Sequence, residues 1–426
     1  MNEWNTPELI AADKKYIWHP FTRMDKWCAP NHEPLVLVEG HGALLRDSEG
    51  REYIDGNSSI WTNIHGHNHP AINAAIRHQL ELVAHTSFLG FSNPAAIELA
   101  REIVALFPQD TLTRVFYSDD GSTGIEVALR IADQYWRLKN SRKNQFVAFE
   151  NGYHGDTAGA ASLGAAVMFR NGPTTWKFPV TRIAALAELE KIPAAQAKKI
   201  AAVVIEPLVQ GAAGIKLWPS GTLQGLRRWC DHNEALLIAD EVLTGFGRTG
   251  TMFASEQENV LPDIMILAKG LTGGYLALAI TLVTEQIFSV FCRRSAKSAT
   301  LFYGHSYTGN ALACAGARAS LAIFKTDNVL EALKPKIKQL GLGLDSLRRF
   351  SCVKEIRQCG FMAGLAVENQ ELAARICVAA RKFGLLTRPI REVVVLMPPF
   401  CISASQLNQA IDAITNAIVE VCQEPA

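Results

Sequence analysis

The sequence predicts an α/β protein with a large, mostly parallel sheet and a smaller α+β domain. From about residue 110, short apolar runs alternate with longer amphipathic runs, which is the pattern of βα units around a parallel sheet. Past about residue 325 the pattern changes to a Lys-rich helical stretch with shorter runs after it. No repeat, low-complexity tract or Gly/Ser linker separates the two parts, so we expect them to pack tightly around a site in their crevice.

Several apolar runs are the candidate strands of the large sheet. They are TRVFY (113–117), FVAF (146–149), AAVVI (201–205), ALLIA (235–239), IMILA (264–268) and LALAITLV (276–283). Between the first two, apolar residues from Ile125 to Trp136 recur at helical spacing and predict an amphipathic helix. The expected domains are residues 1–60 as the N-terminal part of the small domain, 61–325 as the large domain and 326–426 as the C-terminal part of the small domain.

The composition favours a protein that acts on small molecules. The 426 residues contain 42 Lys+Arg and 41 Asp+Glu, so the net charge of +1 offers no field for nucleic acid or an anionic membrane. No apolar run reaches the roughly 20 residues of a membrane-spanning helix, and the N-terminus lacks a secretory signal pattern. The nine cysteines are scattered without metal-binding spacing, so we expect free thiols, no metal site and a cytoplasmic location.

An acid and an amine stand at the ends of two predicted strands. Asp240 directly follows ALLIA, and Lys269 directly follows the apolar core of IMILA. Ligands of open α/β sheets bind at the carboxyl ends of the strands, so both groups are aimed at one crevice. A structural Asp240–Lys269 ion pair is one interpretation. The other is a pyridoxal phosphate (PLP) site, because PLP needs a lysine for its aldehyde and a carboxylate for its pyridine nitrogen.

A phosphate site is predicted where Gly121 and Ser122 open the helix that follows TRVFY. Main-chain N–H groups and the positive end of the helix dipole suit a dianion there, although an ordinary N-cap would have the same sequence. Tyr153 and His154 follow FVAF and are expected at the same edge of the sheet. Tyr153 is either a packing aromatic or a residue that stacks on a planar ring.

A different class of function is suggested by residues 245–250, GFGRTG. They match the G-x-G-x-x-G pattern of dinucleotide-binding oxidoreductases and follow a strand. However, residues 240–244 separate that strand from the first glycine, and the next strand begins at 264. Little room remains for the long phosphate-binding helix that the motif requires.

Several motifs together resemble the class III aminotransferases of PLP fold type I, over nearly the whole chain. They are NGYHGDT, IEP (205–207), LLIADEVLTGFGRTG, PDIMILAKGLTGG and HSYTGNALACA. The resemblance implies that Lys269 is the Schiff-base lysine, that Asp240 is the partner of the pyridine nitrogen and that Tyr153 stacks on the ring. The catalytic residues are therefore expected to be Lys269, Asp240 and Tyr153.

The same resemblance implies a homodimer with shared active sites. Gly121 and Ser122 would bind the phosphate, aided by Gly304 and Ser306 of a neighbouring subunit. On the residues alone, the loop LFYGHSYTGN that contains Gly304 and Ser306 is also consistent with a simple turn.

Within the class, three segments are similar to the 7,8-diaminopelargonate synthases of biotin biosynthesis. They are YIWHPFT, GNSSIWTNIHGHNHP and LLTRP…LMPPF. That family transfers an amino group to 7-keto-8-aminopelargonate (KAPA). The resemblance implies that Arg388 binds the carboxylate of KAPA, as a bidentate guanidinium can, and that Trp61 and Gly304 line the substrate pocket. Transaminases for ω-amino acids or diamines are the alternative within the class.

Three departures from the family pattern concern the amino donor. In the branch that uses S-adenosylmethionine, two tyrosines and a tryptophan stand where this chain has Phe21, Val395 and Ile60. A second branch, which uses lysine, looks similar to this chain at those places. We therefore expect Phe21, Ile60 and Val395 in the substrate pocket and lysine as the donor. The stretch 163–199 is also shorter than the family pattern, so a loop near the substrate is expected to be trimmed.

Overall fold

The computed structural model describes residues 4–164, 178–293 and 299–422. Its helices are α1 (Thr6–Tyr16), α2 (Met24–Trp27), α3 (Ser58–Trp61), α4 (Pro70–Leu82), α5 (Pro94–Val104), α6 (Gly121–Leu138), α7 (Ala158–Leu163), α8 (Leu186–Leu189), α9 (Ala194–Ala197), α10 (Thr222–Asn233), α11 (Glu285–Phe291), α12 (Ala311–Thr326), α13 (Val329–Asp345), α14 (Gln370–Ala380) and α15 (Ala404–Cys422). Single 3-10 turns lie at Ala254–Glu258, Lys269–Thr272, Ser346–Arg349 and Arg381–Phe383.

The strands form one large sheet and smaller sheets. They are β1 (Leu37–His41), β2 (Leu44–Asp47), β3 (Glu52–Asp55), β4 (Leu112–Ser118), β5 (Gln145–Phe149), β6 (Val180–Ile183), β7 (Ile200–Ile205), β8 (Val209–Gln210), β9 (Lys216–Leu217), β10 (Leu236–Asp240), β11 (Ile264–Leu267), β12 (Ala279–Thr284), β13 (Val353–Cys359), β14 (Met362–Val367), β15 (Leu385–Leu386), β16 (Pro389–Ile390) and β17 (Val393–Leu396).

The large sheet of the described residues has seven strands in the order β4-β12-β11-β10-β7-β5-β6. β10 is parallel to β7 and β11, and β5 is parallel to β6 and β7. β12 runs in the opposite direction to the other strands of this sheet and pairs antiparallel with β11 and β4. The predicted α/β fold with a large, mostly parallel sheet is confirmed.

Burial on both faces explains why these strands are apolar runs. Every residue of β7, β10 and β11 is buried, as is typical of parallel strands covered by helices on both sides. α6 packs against one face through Ile125, Ala128 and Ala132, and α10 belongs to the core on the other face. β6, with its sequence VTRI, was missed because it is a short edge strand without an apolar run.

Two four-stranded sheets lie outside the large one, in the orders β1-β2-β3-β15 and β13-β14-β17-β16. β15 pairs in parallel with β3, so a strand from the C-terminal part completes a sheet of the N-terminal part. The boundaries at residues 60 and 325 stay predictions. Of the stretch 163–199, residues 165–177 lie outside the described residues. Among the helices that the structure describes, none combines the length and apolar character needed to cross a membrane.

Candidate active site

A cavity of about 430 Å³ opens at the carboxyl ends of the central strands. The residues that end β10, follow β11 and begin α6 all reach it, as the strand order predicts. Sequence-predicted site residues in its lining are Trp61, Gly121, Ser122, Tyr153, Asp240 and Lys269. The structure therefore brings together the amine, the carboxylate and the helix start.

Lys269 stands at the point where the chain leaves β11. It begins a 3-10 turn with φ +44°, an uncommon value for a residue with a side chain. Its Nζ lies 5.2 Å from the ring centre of Trp61. Burial lowers the pKa of Lys269, against the opposing effect of the Asp240 and Glu206 charges. The amine therefore loses its proton more easily than an exposed lysine, as a nucleophile or base requires.

Asp240 forms its ion pair with His154. His154 Nδ1 donates to Asp240 Oδ2 over 2.7 Å, and the N–H of Val242 donates to Asp240 Oδ1 over 3.1 Å. Burial alone would lower the pKa of His154, but the hydrogen bond and charge of Asp240 outweigh it, so the pKa of His154 is raised. A carboxylate fixed by these two donors in the cavity wall suits a partner for a ring nitrogen.

Glu206 is a buried site residue that the sequence indicated only as part of the IEP motif. Its carboxylate accepts from the N–H of Tyr153 at 3.0 Å and of Gly211 at 2.9 Å. Burial raises the pKa of Glu206 to about 7, with Asp240 adding to the effect and His154 opposing it. The available signal was its position, because Glu206 directly follows β7.

The start of α6 suits a phosphate group. Asp120 is the N-cap, and its side chain accepts from the N–H of Thr123 at 2.9 Å. The first N–H groups of a helix have no partner within the helix, which leaves those of Gly121 and Ser122 available to an anion. A Cβ added to Gly155 would lie 2.2 Å from Ser122 Oγ, so this loop closes tightly on the helix start.

Tyr153 also lines the cavity. Its hydroxyl donates to Asp156 Oδ2 over 2.6 Å, and burial raises the pKa of Tyr153 above its ordinary value. The phenol is thereby held as a neutral donor to Asp156. Together, the lysine, the buried carboxylate, the helix start and this aromatic residue fit PLP. Stacking of Tyr153 on the ring stays a prediction.

The other sequence-predicted residues lie outside the cavity lining of the single chain. Phe21 and Ile60 are 70% and 54% exposed, and Val395 is completely buried in β17. Gly304 and Ser306 are exposed on one loop, and Arg388 is half-buried before β16. Their binding roles stay predictions.

The GFGRTG segment does not form a dinucleotide site. Residues 245–250 are turns, and the chain continues through the 3-10 turn Ala254–Glu258 into β11. The long phosphate-binding helix of that motif is therefore absent from this fully described stretch. Arg248 instead points into the protein, where it donates to the carbonyl of Pro398 over 2.8 Å.

Comparison with known proteins assigns this fold and site to one family. Residues 27–418 match the family model described as aminotransferase class-III. The adenosylmethionine-8-amino-7-oxononanoate aminotransferase of Nitratidesulfovibrio vulgaris is 42% identical over 99% of this chain and 83% of its own length. The Aquifex aeolicus protein of the same name is 40% identical over 100% of both chains.

Two solved structures have the same fold as this chain. That of the Methanocaldococcus jannaschii adenosylmethionine-8-amino-7-oxononanoate aminotransferase has a TM-score of 0.94 at 36% identity, covering 98% of this chain and 99% of the other. A PLP-bound amine transaminase from an uncultivated Pseudomonas species has a TM-score of 0.90 at 31% identity, covering 95% and 98%. The chain therefore belongs to the class III aminotransferase family and is a PLP-dependent enzyme of fold type I.

Proposed function

We propose that this enzyme transfers an amino group to KAPA, forming 7,8-diaminopelargonate in biotin biosynthesis. The observation that carries the proposal is the similarity over essentially the whole chain to relatives named for this reaction. The cavity of the chain supports it, because the segment that is similar to this family supplies Trp61 to the lining. A cytoplasmic location belongs to the same proposal, since scattered thiols suit a reducing compartment.

Lysine, in preference to S-adenosylmethionine, is the proposed amino donor. The support is Phe21, Ile60 and Val395, which replace two phenols and an indole of the S-adenosylmethionine branch. Fewer polar and aromatic groups then remain to orient a bulky sulfonium nucleoside. Phe21 and Ile60 are exposed in the single chain. In this proposal, a neighbouring subunit covers them and so completes the substrate pocket.

Lys269 is the proposed covalent anchor and proton carrier. Bound PLP supplies an aldehyde that takes up the amino group and a ring that withdraws electrons from the reacting carbon. The lowered pKa of Lys269 lets its neutral amine take a proton from the donor carbon and return it elsewhere, as general base and then acid. Its position in the 3-10 turn that begins one residue after β11 keeps the amine next to a rigid element.

The residues around Lys269 have binding and orienting roles in this proposal. Asp240, held by His154, keeps the ring nitrogen protonated. Gly121 and Ser122 bind the phosphate at the start of α6. Tyr153 covers the ring, and Glu206 fixes the main chain of Tyr153 through its 3.0 Å hydrogen bond.

A homodimer with shared sites is part of the proposal. Large apolar side chains are exposed at Leu89, Phe91, Phe302 and Tyr307, on two adjacent segments. These segments touch, because His85 Nε2 donates to the carbonyl of Ser306 over 2.7 Å. Exposed apolar surface of this kind marks an interface. Gly304 and Ser306 lie on it and would reach the phosphate of the neighbouring site.

A single-turnover spectrum tests the substrate and the donor. The holoenzyme is mixed with free lysine, S-adenosylmethionine, ornithine or 4-aminobutyrate. The absorbance of the cofactor bound to Lys269 is then followed as it disappears. KAPA is then added to the converted enzyme. We expect the fastest conversion with lysine and recovery of the absorbance with KAPA. Faster conversion with S-adenosylmethionine would overturn the donor, and no recovery with KAPA would favour an ω-amino acid or diamine transaminase.

A further inference from the structure

The segment α3, Ser58–Trp61, is a left-handed turn beside the cavity. Its four consecutive residues have φ values of +44°, +48°, +69° and +69°, and none is glycine. L-amino acids are disfavoured in this region, and a β-branched residue such as Ile60 is especially so. Contacts from outside the turn must therefore hold it in place.

The carboxylate of Asp55 makes those contacts. Asp55 Oδ1 accepts from the N–H groups of Asn57 at 3.2 Å and Ser59 at 3.1 Å. Asp55 Oδ2 accepts from Ser59 Oγ at 2.9 Å and faces His67 Nε2 at 2.9 Å. Since Asp55 is the last residue of β3, these bonds tie the turn directly to a sheet.

His67 completes this arrangement. Asn63 Nδ2 donates to His67 Nδ1 over 2.9 Å, so the other ring nitrogen, Nε2, is the donor that faces Asp55. Burial raises the pKa of Asp55, but the hydrogen bonds from His67 and Ser59 outweigh it, and the pKa is lowered overall. The carboxylate therefore stays ionised and keeps its acceptor positions.

The end of the turn is Trp61, which forms part of the cavity wall. Trp61 Nε1 donates to Asn57 Oδ1 over 2.8 Å, and the ring centre lies 5.2 Å from Lys269 Nζ. The loop that follows Lys269 packs on the exit of the turn, because a Cβ added to Gly274 would lie 2.8 Å from Asn63 Cα. The exit of the turn and the loop that follows Lys269 are thus in direct contact.

We propose that Asp55 is a positioning residue for amino transfer: by holding the left-handed turn Ser58–Trp61, its carboxylate places the Trp61 ring beside Lys269. Asp55 itself is not among the residues that line the cavity. The proposed route for its effect on the reaction therefore runs through the turn to Trp61, which does line the cavity. The inference rests on the aminotransferase reaction of the family and not on the identity of donor or acceptor.

A double-mutant cycle tests this route. Asp55→Ala, Trp61→Ala and the double variant are compared by the visible circular dichroism of the bound cofactor and by the rate of cofactor conversion. The donor is whichever of lysine, S-adenosylmethionine and 1-phenylethylamine converts the wild type fastest. Asp55→Ala should slow conversion about 10-fold or more in the wild type but less than about 2-fold in the Trp61→Ala background. Equal losses in both backgrounds would overturn the proposal.

The dichroism separates this inference from the proposed function. The signal needs no donor, so it is measured even if KAPA and lysine prove to be the wrong substrates. The double variant should have the spectrum of Trp61→Ala. A further change on adding Asp55→Ala would contradict a route through Trp61. If Asp55→Ala does not fold, Asp55→Asn replaces it, since in either orientation its NH2 group would face donors, the Nε2–H of His67 or the N–H groups of Asn57 and Ser59.

Glycine at the turn is expected to rescue the loss. In the Asp55→Ala/Ser59→Gly variant, residue 59 takes its positive φ without a Cβ penalty, so conversion should recover at least about 3-fold over Asp55→Ala. The matched control is Asp47→Ala, because Asp47 is a buried acid of the same sheet that accepts from Arg51 and Tyr53. Ser59→Gly should not rescue that variant. Failure to rescue Asp55→Ala, or equal rescue of both, would refute the positioning role.

Discussion

His154 and Asp240 form a buried pair in which 2.7 Å separates Nδ1 from the carboxylate Oδ2. The pair joins the loop after β5 to the end of β10, and so connects two sides of the cavity. The acid predicted to serve the cofactor is therefore oriented by a residue for which the sequence offered no specific role.

His154→Phe should weaken cofactor binding. The ring shape is kept, but Asp240 loses a charge-assisted hydrogen bond worth about 1.5–3 kcal/mol, so the Kd for PLP should rise roughly 10-fold or more. Equilibrium dialysis of the variant measures this constant. The control is His78→Ala, because His78 is exposed and is not among the residues that line the cavity. An unchanged Kd in His154→Phe would show that the pair does not support cofactor binding.

Lys269→Ala should abolish turnover while PLP still binds. Loss of general acid–base catalysis alone costs roughly 10²–10⁴-fold, and the covalent attachment is lost as well. Borohydride should no longer fix the cofactor to the chain, as mass spectrometry would show. Lys143→Met is the matched control, since Lys143 is a buried lysine that donates to the carbonyl of Asn233 over 2.8 Å. Substantial turnover by Lys269→Ala would remove the lysine from its role.

Arg388→Ala should affect the two half-reactions unequally. Removing a charged partner from the KAPA carboxylate costs about 1.5–3 kcal/mol, so the KM for KAPA should rise about 10-fold or more. The half-reaction of a donor that does not use the same contact should change much less. Arg391→Ala is the nearby control, because Arg391 is 38% exposed and pairs with Glu392. Equal losses in both half-reactions would mean that the carboxylate binds elsewhere.

Shared active sites should permit complementation between inactive chains. Lys269→Ala lacks the amine, and Ser306→Trp should block the phosphate site of a neighbouring subunit. Mixed dimers contain one site with both defects and one site with neither, so activity should reappear after subunit exchange. Size-exclusion chromatography checks the dimer, and the activity of the mixture is compared with that of each variant. No recovery in a confirmed mixed dimer would place both groups in the same chain.

Glu206 should make the stability of the cofactor-free enzyme depend on pH. Burial raises the pKa of Glu206 from 4.5 to about 7, so its protonated form is favoured in the folded state. Protonation of Glu206 therefore adds up to about 3 kcal/mol to the free energy of unfolding. This contribution is complete below pH 4.5 and is lost as the pH rises through 7. Urea unfolding of the wild type and of Glu206→Gln at pH 5 and pH 8 tests this. The wild type should lose more stability, and parallel changes would contradict the assignment.

Features that depend on local pattern could be predicted from the sequence. β7, β10 and β11 are buried on both faces and are apolar runs, so their ends, and with them Asp240 and Lys269, could be placed at one edge. The start of α6 carried its own capping pattern.

Features that depend on contacts between distant segments could not be predicted. The pairing of His154 with Asp240 joins the segment after β5 to the end of β10, two strands that are distant in the sequence and separated by β7 in the sheet. The left-handed turn Ser58–Trp61 contains no glycine. Its bonds to Asp55 are short in sequence, but Ser58 Oγ also donates to the distant carbonyl of Met397 over 2.7 Å, and Asp55 is itself held by His67. Local propensity opposes that conformation and cannot reveal it.

The antiparallel direction of β12 has a consequence for how substrate preference changes. The connection from β7 to β10 passes through α10, which contributes no residue to the cavity lining, so an inserted residue can be accommodated there away from the cavity. After Lys269, by contrast, residues 270–278 return directly to β12, and Thr272, Gly274 and Tyr275 line the cavity on the way. An insertion or deletion in residues 270–278 would change the shape of the cavity directly. Substrate preference can therefore diverge through the length of this loop as well as through its residue types.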